Sequence, residues 1–237
     1  MSRDTIIFNN ISSKTDLNIT VLEGPPTEVN QEQYEEIYIE GRSGSLIYNK
    51  GTYPDIKKTF KVTILEYKPQ EIYKYEDEIY KWLFCIEDNK LIYDRNDRCY
   101  KVKKVILEDI YTSMKDLGNF NITFLCEPFK YLTIENTIEL TNPQNINYLG
   151  TAIGECNIKI HGNGNIQLTI NDDTVQINNV NEYVELDSKL LLCLNKDKTS
   201  KSRDMIGHFP ILTRGSNEVS WIGDVSKVEI LPRTAYK

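Results

Sequence analysis

The sequence predicts a mainly β protein with two domains: a mixed N-terminal β domain that carries one α-helix, and a C-terminal β-sandwich. Three observations lead to this prediction. Short segments in which apolar and polar residues alternate recur along the 237-residue chain. Glycine, asparagine and aspartate separate these segments, as they do in turns between strands. Only one segment has the apolar spacing of a strong amphipathic helix.

The first half of the N-terminal domain is predicted to consist of short strands. Thr5–Ile11 and Leu17–Gly24 form two strands joined by a polar turn, and two prolines end the second strand. Gln33–Glu40 is rich enough in β-branched and aromatic residues for a strand, and glycine-rich turns flank a further short strand at Ser45–Tyr48. Lys57–Lys68 alternates cleanly between apolar and polar residues, which indicates a half-buried strand.

The apolar period then changes to that of a helix. After Pro69, apolar residues recur at spacings of seven, four and three, and two aromatic residues widen the stripe. The predicted stripe consists of Ile72, Tyr75, Ile79, Trp82, Leu83 and Ile86. We expect this helix to pack on the sheet of the N-terminal domain.

The end of the N-terminal domain is predicted from two patterns. Two strands surround a turn at Asp94–Asp97, the second of them running to Ile110, and Gly118–Tyr131 alternates as a further strand. Asparagine and threonine then cluster around proline and glycine, which favours a domain junction near Leu140–Tyr148. The predicted domains are residues 1–140 and 141–237.

The C-terminal domain is predicted to be entirely β. Its strands follow one another at close spacing, and each is bounded by turn residues. The segments are NIKIHG, NIQLTIN, TVQINNV, EYVELD, FPIL, NEVSWIG and VSKVEILP. Gly162–Gly164 is interpreted as a hairpin turn, Asn195–Arg203 as an exposed loop, and Trp221 as a core residue because it alternates with Val219.

Charge and hydropathy exclude several classes of protein. The chain has 28 basic and 35 acidic residues, a net charge of −7. Tight, general binding of nucleic acid needs clustered lysine and arginine, so this charge argues against it. No apolar run approaches the roughly 18 residues that span a bilayer, and the first residues lack the apolar core of a secretory signal. We therefore expect synthesis in a cytoplasm, where the chain stays soluble, and no membrane association.

The residues that carry chemistry are few and scattered. The two histidines, His161 and His208, are too few for a histidine-dependent triad or a metal cluster. Four acidic residues could form a glycosidase pair, although solvated strand faces and turns are expected for them: Glu36, Glu40, Asp94 and Asp97. The sequence predicts no catalytic residue, no cofactor and no metal site.

The cysteines give no sign of a metal site or a disulfide framework. Their number is odd, their spacing is wide and no CxxC pair occurs. They are Cys85, Cys99, Cys126, Cys156 and Cys193. We expect free thiols that serve as small buried apolar groups.

Tyrosines crowd around the glycine-rich turn of the N-terminal domain. Tyrosine is enriched at protein interfaces, so a subunit interface is a hypothesis for this region, with ordinary packing in a sheet as the alternative. The candidate interface residues are Tyr38, Gly41, Arg42, Gly44, Tyr48 and Tyr53.

Several motifs occur in an order that is typical of one family. They are FNNI, GRSGSL followed by GTY, a helix that ends in WL, CEPFKY, GNGNIQLTIN, YVELDS, FPIL and NEVSWIGDVSKVEILPR. In this order the whole chain resembles the distal tail protein (Dit) family of long-tailed bacteriophages. It departs from the family at Ser43, where an acidic residue is usual, and at Thr234, where an aromatic residue often follows the arginine.

The resemblance implies a structural protein of the phage tail tip. Members of the family form hexameric rings, single or doubled, from the N-terminal domain, with a central channel through which DNA passes without specific binding. The ring joins the tail tube protein to the tail-associated fibre or lysin protein, and a galectin-like C-terminal sandwich projects outward. The expected location is the tail tip of the virion, with no enzymatic activity.

Two other functions are considered. A carbohydrate-binding module would recognise host cell-wall sugars through exposed aromatic residues of the C-terminal sandwich, and it needs Trp221 and Tyr183 together on one concave face. A cell-wall hydrolase would need a Cys/His pair, a zinc motif or a convincing acid pair. The sequence offers none of these three.

Overall fold

A computed structural model describes residues 4–26, 29–107 and 118–237, and the chain divides into two units, Met1–Thr133 and Ile134–Tyr236. The predicted fold class is confirmed, since both units are built mainly from β-strands. The division falls between residues 133 and 134, whereas the boundary predicted from the sequence follows residue 140. That each unit folds as an independent domain stays a prediction.

In its described residues, the first unit combines one antiparallel sheet, a separate two-stranded ribbon, two α-helices and a 3-10 turn at Pro69–Glu71. Its elements are β1 (Ile7–Phe8), β2 (Ile11–Ser12), α1 (Ser13–Leu17), β3 (Ile19–Glu23), β4 (Tyr34–Ile37), β5 (Leu46–Asn49), β6 (Ile56–Ile64), α2 (Ile72–Phe84), β7 (Lys90–Ile92), β8 (Arg98–Leu107) and β9 (Asn119–Leu132). The sheet order is β2-β1-β7-β8-β9-β6-β3, and β4 pairs only with β5 in the ribbon. The predicted strand end at Glu108–Ile110 lies outside the described residues.

Helix α2 covers one face of this sheet, as its apolar stripe predicts. The helix buries Ile72, Ile79, Trp82 and Leu83. These side chains share a core with the inward residues of the central strands, among them Phe60, Phe120, Ile122 and Phe124. Ile86 does not belong to the stripe: it is 42% exposed because the helix ends at Phe84, two residues earlier.

The polar turn predicted between the first strands is instead the short helix α1. Ser12 caps its N-terminus, since the hydroxyl accepts a hydrogen bond from the Thr15 amide, and Asp16 accepts one from the Ser12 amide at 2.8 Å. Asn18 ends the helix in the left-handed region, at φ 53°. Serine, aspartate and asparagine serve turns and helix caps alike, so composition alone does not separate the two structures.

The second unit consists of strands and one 3-10 turn at Ser202–Asp204. Its strands are β10 (Ile138–Leu140), β11 (Gln144–Tyr148), β12 (Asn157–Ile170), β13 (Asp173–Val180), β14 (Tyr183–Asp187), β15 (Leu192–Asn195), β16 (Met205–Gly207), β17 (Gly215–Leu231) and β18 (Ala235–Tyr236). Two long strands, β12 and β17, pair with each other along almost their entire length. The FPIL segment is not a strand; it contributes a single β-bridge, from Leu212 to Gly154.

The hairpin turn predicted at Gly162–Gly164 is wrong, because these residues lie inside β12. Likewise NEVSWIG and VSKVEILP are one continuous strand, β17, and not two. The pairing of β12 with β17 shifts register between His161 and Gly162 and again between Asn163 and Gln167. These register shifts are β-bulges, and glycine is common in bulges as well as in turns. We call this bulged region the crease.

The crease divides the two long strands into the two layers of a sandwich. On one side of the crease, β17 pairs with β10 and β12 pairs with β14, which in turn pairs with β15. On the other side, β17 pairs with β11 and β12 pairs with β13, which in turn pairs with β16. The inward residues of both layers form one core, with Ile158, Ile160 and Val184 from the first layer and Leu168, Val175 and Val219 from the second.

Replacing Gly162 by alanine is expected to destabilise the second unit by about 2 kcal/mol, because an inserted methyl group overpacks the crease. A Cβ at this position would lie 2.1 Å from the carbonyl oxygen of Asp224 on the paired strand. Gly24→Ala is the matched control, since its Cβ would meet nothing within 4 Å. Urea denaturation of the full chain measures both free energies of unfolding. An unchanged value for Gly162→Ala would mean that the paired strand moves aside.

Candidate functional site

The ribbon of β4 and β5 is the main exposed feature of the first unit. We call residues 32–51, which contain it, the arm. Every residue of both strands is exposed, so neither face of the ribbon packs against the core. An isolated two-stranded ribbon is marginally stable in water at best. The arm therefore needs support from its base or from a partner.

Hydrogen bonds hold the base of the arm. The side-chain amide nitrogen of Asn30, Nδ2, donates to the carbonyl oxygens of Pro54, at 3.1 Å, and Pro128, at 3.0 Å. Next to β4 and β5, the backbone amide of Lys50 donates a hydrogen bond of 2.8 Å to the Gln33 carbonyl oxygen, which extends the pairing of the two strands by one residue. These contacts fix where the arm starts while leaving its strands uncovered.

Glycines form the tip of the arm. Gly41 and Gly44 have φ values of 81° and 82°, in the left-handed region that favours glycine. The Arg42 amide donates to the Ile39 carbonyl at 3.2 Å and closes the turn between the strands. Neither glycine has a neighbour within 4 Å of an inserted Cβ, so backbone conformation and not space requires glycine there.

Both faces of the ribbon carry exposed apolar side chains, and each also carries an acidic residue. Residues directly paired in an antiparallel ribbon share a face. The register puts Glu36 and Ile47 on one face, together with Tyr34, and Glu35 and Tyr48 on the other. Ile37 and Leu46 complete the second face. A surface ribbon that stayed in water would not need apolar side chains on two faces.

The exposed apolar area on the arm is large for so short a segment. Tyr38 is 78% exposed, Ile47 62% and Tyr48 61%, and four further apolar side chains exceed 40%: Tyr34, Ile37, Ile39 and Leu46. Clustered exposed apolar groups mark interaction sites in soluble proteins. Covering each half-exposed side chain of this size contributes about 1 kcal/mol.

Five of the six candidate interface residues lie on the arm: Tyr38, Gly41, Arg42, Gly44 and Tyr48. Tyr53 lies beyond it, half-buried, and packs edge to face against Phe129 with ring centroids 5.1 Å apart. Sequence reasoning missed the aliphatic members, Ile37, Leu46 and Ile47. The available signal was the run of three apolar residues in β5, Leu46 to Tyr48, which puts apolar side chains on both faces of the ribbon.

Of the acidic residues considered for catalysis, Glu36 and Glu40 lie on the arm, and Asp94 and Asp97 lie in the turn between β7 and β8. Glu36 is on the arm, where it accepts hydrogen bonds from Tyr38 and Ser45. Asp97 is bound by Arg95 and Arg98, and the hydrogen bonds from Arg95 hold the pKa of this carboxyl below its usual value. Within residues 4–26, 29–107 and 118–237, no group of His, Cys, Asp or Glu side chains is arranged to hold a metal ion.

The cysteines are free thiols, and four of the five are buried. Burial raises the pKa of Cys126 to about 12 and that of Cys156 and Cys193 to about 11. Thiols with such values stay protonated at neutral pH and are poor nucleophiles. Cys85 differs from the prediction of a buried group, because it lies exposed just after α2.

The aromatic pair needed for a sugar-binding face does not share a face. Tyr183 is opposite His161 on the outer side of the sandwich, and the Lys159 ammonium group lies 4.1 Å from its ring centroid. Trp221 is opposite Leu168, a buried core residue, and packs half-buried against the core. The two rings therefore point to opposite sides of the sheet. His208, the other histidine, is exposed in a loop.

Comparison with known proteins identifies the first unit. Residues 10–126 match the family described as phage tail protein RIFT-related domain. They include the arm and most of the main sheet of the first unit. The chain is a phage tail protein of this family. A search of curated proteins finds no match. No helix in the described parts of this phage tail protein is long and apolar enough to cross a membrane.

The fold of this phage tail protein also matches a solved structure along its whole length. The Dit protein of phage SPP1, described as a paradigm of the hub adsorption apparatus in phages that infect Gram-positive bacteria, aligns with a TM-score of 0.69. The alignment covers 95% of this chain and 96% of the SPP1 protein, at 11% sequence identity. At that identity the likeness establishes the fold, which is that of a distal tail protein and agrees with the resemblance seen in the sequence.

Proposed function

We propose that this phage tail protein forms a hexameric ring at the tail tip, with the arm as a main contact between neighbouring copies. The ring, single or doubled, would join the tail tube to the tail-associated fibre or lysin protein or the baseplate. Its central channel would let DNA pass, and the protein would have no enzymatic activity. The observation that carries the proposal is a ribbon inside a phage tail domain whose two uncovered faces both carry apolar side chains.

A ring of identical copies places a specific demand on the surface. It needs a head-to-tail interface, in which one patch of a copy meets a different patch of the next, and whose rotation closes. A projecting arm suits this demand because it reaches a neighbour without displacing the core of its own unit. Tyrosine and isoleucine side chains supply the apolar centre that such interfaces require.

Passage of DNA through the ring is compatible with the charge of the chain. A net charge of −7 gives little attraction for phosphate, so a channel lined by neutral or acidic side chains would not retain the duplex. Sequence-specific or salt-sensitive binding of duplex DNA would contradict this part of the proposal. A gel shift at low salt tests it.

We expect the full chain to form closed six-fold particles at high concentration, with six times the chain mass of 27.5 kDa. The triple variant Ile37→Ser, Ile47→Ser, Tyr48→Ser removes exposed apolar groups from both faces of the arm. It should raise the concentration needed for assembly more than tenfold without lowering thermal stability. Light scattering over a concentration series, with negative-stain images, measures assembly.

The matched control removes as much exposed apolar surface from the second unit. Ile134, Ile206 and Ile222 are 83%, 60% and 70% exposed, and their triple serine variant should assemble as the unmodified chain does. A chain that stays monomeric up to millimolar concentration would count against the ring. Equal loss of assembly in both triple variants would count against the arm as the contact.

A further inference from the structure

The outer face of the sheet in the first unit carries a row of side chains that the ring leaves without a role. Leu125 of β9 is directly opposite Lys57 on β6 and Lys104 on β8. The three residues thus lie side by side across three strands, with the leucine between the lysines. We call Lys57, Leu125 and Lys104 the lysine row.

The charges of the lysine row are not balanced locally. Among the described residues, no acidic side chain lies within 4.0 Å of the Lys57 or Lys104 ammonium group, whereas the adjacent Lys103 pairs with Asp55 at 2.7 Å. Next to the row lie the hydrogen-bonded hydroxyls of Thr59 and Thr123, 2.9 Å apart. This sheet face therefore presents two lysines that have no acidic partner within 4.0 Å among the described residues, with Asp55 two residues before Lys57 and Glu127 two residues after Leu125.

Apolar groups accompany these lysines. Ile106, opposite Thr123, is 39% exposed, and Leu22 on the edge strand β3 is 54% exposed. The face thus offers separated positive charges with apolar contacts between and beside them. Lys61, a further lysine of β6, is aligned with Glu23 on β3 and does not belong to the lysine row.

The arm has the complementary composition. It carries four glutamates, Glu32, Glu35, Glu36 and Glu40, against only Arg42 and Lys50, and its apolar side chains lie between them. One glutamate lies on each face of the ribbon. Glu35 pairs with Lys50 of the same ribbon at 3.5 Å and Glu36 accepts hydrogen bonds from Tyr38 and Ser45, and both side chains remain exposed. We propose that the arm of one copy docks on the lysine row of the next copy, which deepens the ring proposed above and rests on it.

The dimensions of the two surfaces agree. Neighbouring strands lie about 4.8 Å apart, so the lysines on β6 and β8 are separated by roughly 10 Å. A two-stranded ribbon with its side chains has about this width. It would cover Leu125 and reach both ammonium groups at its edges.

Charge favours docking of the arm on the lysine row rather than on the exposed apolar surface of helix α2. Helix α2 exposes Tyr73, Tyr80 and Phe84, but Glu76, Asp77 and Glu78 lie among them. An acidic arm would be repelled there, since like charges brought together at an interface oppose association. DNA is a weaker occupant for the lysine row, because two lysines displace few counterions and the duplex backbone offers Leu125 and Ile106 no apolar partner.

Charge reversal tests the docking directly. The arm variant Glu35→Lys, Glu36→Lys changes one charge on each face of the ribbon, and the face variant Lys57→Glu, Lys104→Glu reverses the row. Each should assemble at least tenfold more weakly than the unmodified chain. An equimolar mixture should assemble again, because the reversed arm meets the reversed row and the normal arm meets the normal row in an alternating ring. Glu76→Lys, Asp77→Lys on α2 is the control: it should assemble as the unmodified chain does, and mixing it with the arm variant or the face variant should not restore their assembly.

A second measurement covers weak association. Carbodiimide cross-linking of mixed isotope-labelled copies at high concentration should join the arm peptide of one copy to peptides that contain Lys57 or Lys104 of another. Absence of such mixed cross-links, or a mixture that fails to recover while both variants keep their thermal stability, would overturn the docking. If the triple serine variant of the arm loses assembly but the face variant does not, the arm contact stands and the lysine row is wrong. Salt-sensitive binding of duplex DNA that the face variant abolishes would assign the row to nucleic acid instead.

Discussion

Replacing Trp82 by alanine should destabilise the first unit by about 4 kcal/mol, the range typical of a buried tryptophan. Trp82 is fully buried between α2 and the sheet, and its Nε1 donates a hydrogen bond of 3.0 Å to the Phe8 carbonyl oxygen. The substitution leaves a large cavity and an unsatisfied carbonyl group in the core. Urea denaturation of the full chain measures the loss.

Two controls separate cavity from hydrogen bond. Trp82→Phe keeps most of the volume but not the donor, so it should cost less than alanine and yet remain clearly destabilising. Lys74→Ala, on the exposed side of the same helix, should change the free energy of unfolding by less than about 0.5 kcal/mol. A Trp82→Ala variant as stable as the unmodified chain would mean that α2 does not hold the sheet.

Replacing Asp187 by alanine should destabilise the second unit by about 3 kcal/mol, because it leaves Arg233 without its partner in a largely buried site. Two hydrogen bonds of 2.6 Å join the guanidinium group of Arg233 to the carboxylate. The same carboxylate accepts from the amides of Lys189 and Leu190 and so orders the turn after β14. The exposed pair Glu182 and Lys196 is the control, and its removal should cost less than about 1 kcal/mol.

The same group should give the second unit a defined response to acid. The hydrogen bonds from Arg233 lower the pKa of Asp187 from 3.8 to about 2 in the folded chain. A lowered folded pKa means that its contribution is complete above the unfolded value and is lost as the pH falls through the folded value. Stability should therefore decline between about pH 4 and pH 2, and Asp187→Asn should flatten this part of the profile. An identical decline in the variant would assign the acid response to other carboxyl groups.

Local sequence patterns predicted the helices and strands that bury one face and expose the other. The stripe through Ile72, Ile79 and Leu83 predicted α2 because one helix face is buried, and clean alternation predicted β6 for the same reason. The end of the helix was less accurate, since Ile86 continues the spacing but follows the last turn. Apolar spacing reports which side chains could be buried, whereas the end of a helix depends on the backbone hydrogen bonds of its last turn.

The crease shows what local patterns miss. Glycine and asparagine at residues 162–164 predict a turn, and the same residues form a bulge here because β17 lies alongside and pairs through the irregularity. Only the partner strand distinguishes the two outcomes. The arm shows the reverse case: its tyrosines and glycines marked an interface region, but strand registers were needed to see that Ile37, Leu46 and Ile47 put apolar side chains on both faces.

The crease also limits how the second unit can change in length. Before the crease, the buried positions of β17 have odd numbers, Asn217 and Val219. After it they have even numbers, Val228 and Ile230, so the extra residue of the bulge keeps both parts of the strand facing the core. One residue inserted or deleted there would turn every later side chain of the strand to the opposite face, in a layer that shares its core with the other layer. Homologous tails can therefore diversify this unit at its hairpin ends, whereas the crease must keep its residue count.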